Sequence, residues 1–161
     1  ARAAFERTLA GIAYERPFDA AAFSGDLRRV REKVEAERGR VASGSRHLRF
    51  DPGGIMDVEF LTALGQLTGG AADPSLRTTE TTVALRRLIE TGWPAALLAD
   101  HATLRALSMR MRLLRDRPED IINPSDLAPL ARSLEQDPDR LREDVDQAMC
   151  RVRACFTAHF P

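Results

Sequence analysis

Two adjacent apolar stripes run through the sequence LLADHATLRALSMRMRLLR, residues 97–115. Their members recur three or four residues apart, which is the spacing of one face of an α-helix. The first stripe comprises Leu97, His101, Leu104, Leu107, Met111 and Leu114, and the second comprises Leu98, Ala102, Ala106, Met109 and Leu113. Because the stripes lie side by side, they predict a helix from Pro94 to Arg115 that is buried over a wide arc at the centre of a bundle.

The remaining sequence divides into helical segments separated by proline, glycine and serine. The predicted segments are residues 3–13, 19–38, 54–67, 80–91, 124–134 and 138–160, with Thr78 or Thr79 as the cap of the fourth. A stripe in the second segment predicts one buried face and comprises Phe23, Leu27, Val30 and Val34. Only residues 47–50 suggest extended structure. The sequence therefore predicts an all-α fold, a helical bundle of about six to seven helices.

Composition and charge exclude two broad classes of protein. Of 161 residues, 43% are hydrophobic and 30% are charged, which is typical of a soluble globular chain. The 24 basic residues are balanced by 24 acidic ones, and a zero net charge argues against a nucleic-acid binder. No apolar run approaches the roughly 20 residues that span a bilayer, which excludes a membrane-spanning protein.

The cysteines and the first residue bear on the origin of the chain. Cys150 and Cys155 lie in one predicted helix, where their side chains point about 140° apart, so a disulfide between them is not expected. We expect a reducing cytoplasm as the location. The chain begins at Ala1 without a methionine or a signal sequence, and we expect an excised piece of a longer protein.

The most unusual segment begins with Gly53 and Gly54, which precede a predicted helix containing Asp57 and Glu59. Two glycines allow another group to approach the backbone closely, and the free amides of a first helical turn attract anions. On a helical wheel Asp57 falls inside the apolar arc, whereas Glu59 points elsewhere. A carboxylate there needs partners. Asp57 either pairs with an arginine or helix-end amide inside the bundle, or faces a cleft shared with a neighbouring domain.

Other polar residues have simpler interpretations. Arg105, Arg112 and Arg115 share one side of the fifth helix. They either contact a phosphate or, as we expect, form a solvated flank or pair with acidic residues such as Asp116. His101 lies on an apolar stripe and is expected to be a core histidine. No His/Cys cluster with metal-ligand spacing, P-loop or nucleophile with a nearby base is recognisable.

Several sequence motifs resemble those of one enzyme family. The run HLRFDPGGIMDVEFL, residues 47–61, resembles the basic-x-G-x-G-G-I/L-x-D-I/V-E-F-I/L motif of bacterial glutamine synthetase adenylyltransferase, also called glutamate–ammonia-ligase adenylyltransferase. YERPFD (14–19), LRALSMRMRLLRDR (104–117) and VRACF (152–156) are similar to further family motifs in the same order. The segment DRPED (116–120) resembles the adenylylating half more than the adenylyl-removing half.

The resemblance implies a helical domain that follows a nucleotidyltransferase domain. Residues 1–16 would be the end of the preceding nucleotidyltransferase-domain helix, and residues 17–161 the helical bundle. The parent enzyme would use ATP and Mg²⁺ to transfer AMP to a tyrosine of glutamine synthetase, under control of glutamine and the PII signalling protein. The catalytic G-S…S-D-x-D/E sequence of that family is absent from these 161 residues, so this piece alone should be inactive and is not expected to hold ATP or Mg²⁺.

Two hypotheses for the role of the chain follow from the resemblance. In the first, Gly53, Gly54, Asp57 and Glu59 line the nucleotide-binding cleft against the parent's own nucleotidyltransferase domain, with amides positioning phosphate and Asp57 holding a lysine, an arginine or the water shell of the metal. In the second, the bundle is a non-catalytic module that docks glutamine synthetase or PII, and the motif serves packing only. A PII uridylyltransferase, which carries a related helical domain, is a further possible parent. Neither nucleic acid nor a membrane is expected as a partner.

Overall fold

The computed structural model describes residues 2–15, 19–39, 41–115 and 120–160. Seven α-helices occupy most of these residues: α1 (Arg2–Tyr14), α2 (Ala20–Arg38), α3 (Ile55–Gly69), α4 (Thr81–Glu90), α5 (Ala96–Arg115), α6 (Pro124–Ser133) and α7 (Pro138–His159). A short 3₁₀ turn (Pro74–Leu76) and two strands, β1 (Arg46–His47) and β2 (Ile121–Ile122), complete the fold. The all-α helical bundle predicted from the sequence is confirmed.

Side chains at the helix starts explain where two of the long helices begin. The Asp19 carboxylate accepts hydrogen bonds from the amides of Ala21 and Ala22 at the start of α2. Asp137 does the same for α7, accepting from the amides of Asp139 and Arg140, with a proline at the first helical position. Such caps satisfy amides that the helix leaves without an internal acceptor.

Two other helix starts were predicted too early. α4 begins at Thr81 rather than after a Thr78 or Thr79 cap, because the Thr78 hydroxyl instead accepts from the Glu80 amide and closes a turn before the helix. α5 begins at Ala96, since the amides of Leu97 and Leu98 bond to carbonyls only three residues earlier.

The apolar residues form two clusters, to which α5 and α7 both contribute. We call the first cluster core 1. Its members lie in α3, α5, α6, α7, β2 and, in the case of Leu48, the loop before α3, and they include Leu104, Met111, Leu130 and Met149. Core 2 joins α3, α4, α5 and α7 and includes Leu61, Leu85, Val152 and Phe156, and Phe23 and Leu27 of α2 pack half-buried against it. α5 and α7 therefore form the centre of the bundle, as expected for α5.

Only one of the two stripes on α5 is buried. In the first stripe Leu97, Leu104, Leu107 and Met111 are at most 3% exposed, but Leu114 is 49% exposed. The second stripe was expected to be buried, and this holds in part for Leu98, which packs half-buried against core 2, but was wrong further along: Met109 is 57% exposed and Leu113 is 79% exposed. The described neighbours cover one side of α5, so the second stripe forms an apolar strip on the surface. On α2, Val30 is likewise exposed, at 51%.

The small sheet joins two distant loops that the sequence did not pair. β1 and β2 are antiparallel, with Arg46 opposite Ile122 and His47 opposite Ile121. The Leu48 amide extends the pairing by donating to the Asp120 carbonyl at 2.8 Å. Strands of two residues are too short to show an alternating pattern, which is why β2 was not predicted.

Two further expectations concern the ends and the surroundings of the chain. The boundary between residues 1–16 and 17–161 falls on residues outside those described and stays a prediction. α1 contacts the bundle through Tyr14, whose ring centre is 4.8 Å from the guanidinium carbon of Arg77. None of the described helices is long and apolar enough to cross a membrane.

The same substitution on the two faces of α5 tests which stripe is buried. Leu104→Ala removes a fully buried side chain from core 1, and we expect it to lower the free energy of unfolding by about 2–5 kcal/mol. Leu113→Ala, the matched control, should change it by no more than about 0.5 kcal/mol. Urea titration of the two variants and the wild type measures both values, and equal losses would contradict the assignment of the exposed stripe.

Candidate functional site

The two glycines of the motif are required by close contacts within the chain itself. Gly53 has a φ of +79°, and a Cβ atom on it would lie 1.8 Å from the Met149 carbonyl oxygen of α7. A Cβ atom on Gly54 would lie 2.6 Å from the Leu48 carbonyl oxygen. The predicted close approach is therefore confirmed, and the approaching groups are backbone carbonyls of this chain rather than a ligand.

The amides at the start of α3 are engaged by the loop that precedes them. We call residues 48–54 the motif loop. The amides of Ile55 and Met56 donate to the carbonyls of Leu48 and Arg49 at 2.8 and 3.2 Å. The Gly54 amide donates to the Asp51 carbonyl at 2.9 Å, and the Asp57 amide to the Gly54 carbonyl at 3.0 Å. These amides are therefore not free, because the folded-back loop supplies their acceptors; the suggested phosphate contact stays a prediction.

Asp57 is completely buried and has three partners. Its Oδ1 accepts a hydrogen bond from Nε of Arg31, and the side chains of both residues are 0% exposed. Its Oδ2 accepts from the Gly53 amide at 2.8 Å and from Nη1 of Arg153 at 3.2 Å. Of the two interpretations of this carboxylate, pairing inside the bundle is what the structure contains. Asp57 does not line a cleft, because α2, α7 and the motif loop enclose it.

Arg31 connects Asp57 to the motif loop and to a second carboxylate. Its Nη2 donates to the carbonyls of Phe50 and Asp51 at 3.0 and 2.9 Å. Its Nη1 lies 3.3 Å from Oε2 of Glu35, which is also 3.4 Å from Nη1 of Arg153. We call Arg31, Glu35, Asp57 and Arg153 the buried ion network, in which Arg31 and Asp57 are fully enclosed and Glu35 and Arg153 are 26% and 32% exposed. Its two arginines and two carboxylates balance in charge.

Glu59 is the member of the predicted site that reaches the surface. Its side chain is 31% exposed and accepts a hydrogen bond from Nη2 of Arg49 at 2.8 Å. Arg49 also lies over the Phe50 ring, 5.9 Å from its centre. By contrast, Gly53, Gly54 and Asp57 are buried. A contact between Glu59 and a neighbouring domain stays a prediction.

The sequence did not single out the arginines that hold Asp57. Arg31 lies four residues after Leu27, which places it on the inner side of α2, so its position on that helix was the available signal. Arg153 belongs to the VRACF segment that carried part of the resemblance. Neither position indicates a partner 26 or 96 residues away in sequence.

Two of the three arginines singled out on α5, Arg112 and Arg115, pair with acidic residues as expected, and Arg105 is exposed. Arg112 donates to both carboxylate oxygens of Asp120, and the Ser108 hydroxyl donates to the same group at 2.6 Å. Burial alone would raise the pKa of Asp120, but these hydrogen bonds and the charge of Arg112 lower it. Arg115 pairs with Asp126. The suggested partner Asp116 and most of the DRPED segment lie outside the described residues.

His101 and the cysteines agree with their simplest interpretations. His101 is 6% exposed and belongs to the inner face of α5. Burial lowers its pKa, and the positive charge of Arg105 lowers it further. Cys150 and Cys155 are both free thiols.

The motif region does not fit ATP or Mg²⁺. Among the described residues, no group of three or more His, Cys, Asp or Glu side chains is placed to hold a metal ion. The carboxylates of Asp57 and Glu35 already face arginines, and the first amides of α3 have acceptors within the chain. The motif therefore organises the bundle, and its buried members have no free donor or acceptor for a nucleotide.

Asp57→Asn tests the energetic importance of the buried ion network. The amide keeps the shape of the side chain but removes the buried charge that faces Nε of Arg31 and leaves Glu35, 3.3 Å from Nη1, as its one charged partner among the described residues, so we expect a loss of about 3–5 kcal/mol in unfolding free energy. The matched control is Asp26→Asn, which removes an exposed pair with Arg29 and should cost less than about 1 kcal/mol. Both are measured by urea titration; similar small losses would show that the network is dispensable.

Gly53→Ala tests the close approach of α7 to the motif loop. Because φ is positive and the Met149 carbonyl occupies the position that a Cβ atom would take, the added methyl must displace α7 or the loop. We expect destabilisation by more than about 2 kcal/mol. Gly25→Ala is the control, since nothing lies within 4 Å of that position in α2 and alanine there should stabilise by about 0.5–1 kcal/mol. Thermal and urea unfolding distinguish the two, and a neutral Gly53→Ala variant contradicts the described contact.

Comparison with protein families agrees with the sequence motifs. A family model described as GlnD PII-uridylyltransferase matches residues 26–160. Curated relatives named "bifunctional glutamine synthetase adenylyltransferase/adenylyl-removing enzyme" are also similar. The protein of Streptomyces avermitilis is 37% identical over 119 residues, covering 70% of this chain and 12% of that protein. Those of Cutibacterium acnes and Leifsonia xyli are 34% and 33% identical, covering 63% and 84% of this chain and 11% and 14% of their own length.

Proposed function

The chain belongs to the family described as GlnD PII-uridylyltransferase, and we propose that it is the helical domain of a bifunctional glutamine synthetase adenylyltransferase. It spans about an eighth of the length of the curated relatives it matches, between 11% and 14%. In the proposed parent protein, a nucleotidyltransferase domain uses ATP and Mg²⁺ to transfer AMP to glutamine synthetase, and PII and glutamine regulate the reaction. Residues 1–16 would belong to the end of that catalytic domain.

The proposed role of this chain is architectural rather than chemical. Asp57 and the first amides of α3 are the groups that the sequence suggested for contact with a nucleotide or metal, and all of them have partners inside the chain. A group that already has its hydrogen bonds in a buried position would have to break them to bind a ligand, at considerable cost. This supports the hypothesis in which the glycine–aspartate motif serves packing, and it weighs against a direct contribution to catalysis.

The exposed stripe of α5 is the observation that carries the proposed role. We call the exposed part of the second stripe, Ala102, Ala106, Met109 and Leu113, the α5 stripe. Leu113 is 79% exposed and Met109 is 57% exposed, while the neighbouring Leu114 is 49% exposed. A contiguous apolar strip on the surface of a folded domain marks an interface. Since most of the proposed parent protein lies outside this chain, we propose that its nucleotidyltransferase domain covers the strip and is held in position by it.

Leu113→Glu in the complete protein tests this role. The charge would face an apolar interface and weaken domain packing, so we expect AMP transfer to glutamine synthetase to fall about ten-fold or more, measured with ATP labelled in its α-phosphate. Ala128→Glu, on an exposed position of α6, is the matched control and should retain activity. The 161-residue chain alone should transfer no label.

The possible results separate the alternatives. Loss of activity in Leu113→Glu with an unaltered fold supports packing against the catalytic domain. Unchanged AMP transfer with a lost response to PII or glutamine would instead support a docking module for regulators. Label transfer by the chain alone would refute the architectural role.

A further inference from the structure

A small cavity of about 300 Å³ lies where the two-stranded sheet meets α6 and α7. Its floor is apolar and its rim is charged. The floor is formed by Ile122, Leu127 and Val145, and the rim by Arg46, Arg142 and Asp146. None of these residues belongs to the motif loop or to the α5 stripe, so the cavity is independent of the proposed function.

The floor of the cavity is a preformed part of core 1. Ile122, Leu127 and Val145 are 4%, 7% and 2% exposed and pack with the other members of that cluster. The sheet fixes the position of the rim residue Arg46 relative to the floor residue Ile122, because these two residues lie directly opposite each other in the antiparallel pair. The Ser45 hydroxyl donates to the side-chain oxygen of Asn123 at 2.8 Å and holds the two strands together at this end. A ligand would therefore meet a rigid apolar wall without first ordering it.

The rim carries one arginine, Arg142, whose ion-pair contact is long and solvent-exposed. Nε of Arg46 donates to Oδ1 of Asp146 at 2.7 Å, so these two groups neutralise each other. Arg142 is 55% exposed, and its one ion-pair contact within the described part of the chain is with Asp139 at 3.9 Å. Two arginines and one aspartate leave the rim with a net charge of +1.

We propose that this cavity binds a small organic acid that carries a single carboxylate on a branched aliphatic or aromatic body. The apolar body would displace water from the floor, which is the usual source of affinity in pockets of this kind. The carboxylate would remain at the rim and accept hydrogen bonds from the Arg142 guanidinium, whose fork matches a carboxylate. A single negative charge matches the net charge of the rim, whereas a purely polar acid would leave the floor unfilled.

The probe for this proposal is 4-methylpentanoate, with 4-methylpentanamide as its neutral counterpart of the same shape. We expect the acid to shift the methyl NMR signals of Ile122, Leu127 and Val145 saturably. The amide should bind about ten-fold more weakly, because it lacks the charge-assisted hydrogen bond to arginine. Absence of saturable shifts in these methyl groups up to about 10 mM probe would overturn the proposal.

Charge variants test the role of the rim. Arg142→Gln should reduce the affinity for the acid to that for the amide, while the affinity for the amide stays the same. Arg140→Gln is the matched control, since Arg140 is an exposed arginine of the same helix that does not line the cavity. Equal affinity for acid and amide in the wild type would identify an apolar anchor site for a partner's side chain instead. An unchanged preference for the acid in Arg142→Gln would also overturn the assignment.

Discussion

The Arg31–Asp57 ion pair lies at 0% exposure on both sides, and the arrangement of α2, α3 and α7 depends on it. Moving two charges out of water is costly, and a buried pair is tolerated only when its remaining hydrogen-bonding groups also find partners. Here the motif loop supplies two carbonyls to Arg31, and Asp57 receives the Gly53 amide as well as Arg153. In α2 Ser24 and Arg31 are buried, while Phe23 and Leu27 pack half-buried against core 2, so the polar network and an apolar contact together attach this helix to the bundle.

The spacing of the glycine–aspartate motif follows from the same network. Gly53 and Asp57 are four residues apart, and the carboxylate reaches back to the Gly53 amide across the first turn of α3. That contact requires the chain to turn through the positive φ of Gly53 while the Met149 carbonyl approaches from α7. A side chain at either glycine would separate the motif loop from its neighbours. The glycines and the aspartate therefore act as one structural unit, in which the turn brings the amide to the carboxylate and the carboxylate binds the arginines.

Sequence patterns predicted the helices well, but they did not predict which residues pair between helices or which helix faces are covered. Proline and glycine breaks together with helical periodicity located all seven helices, because these signals are local. The wheel position of Asp57 showed that the carboxylate needed a partner, but its partners Arg31 and Arg153 come from α2 and α7, and no local pattern encodes such a pairing. The prediction that the α5 stripe is buried was wrong for a related reason. Periodicity identifies an apolar face of a helix, but the burial of that face depends on whether another element covers it. The two-residue strand β2 carried too little pattern to be recognised.

Because the motif lies inside the bundle, its similarity to the motif of the relatives does not by itself show that its residues contact a nucleotide. A sequence shared with nucleotidyltransferase relatives suggested a nucleotide contact, yet its most specific residues serve the interior of this bundle. Motif residues can be specific because the fold needs them, since a buried charge and a positive φ each tolerate few alternatives. The groups available to a partner are those whose interactions the described chain leaves incomplete. Leu113 and Met109 on α5 and Arg142 above the cavity fit that criterion, and they lie on elements that the buried ion network and the two cores hold in place.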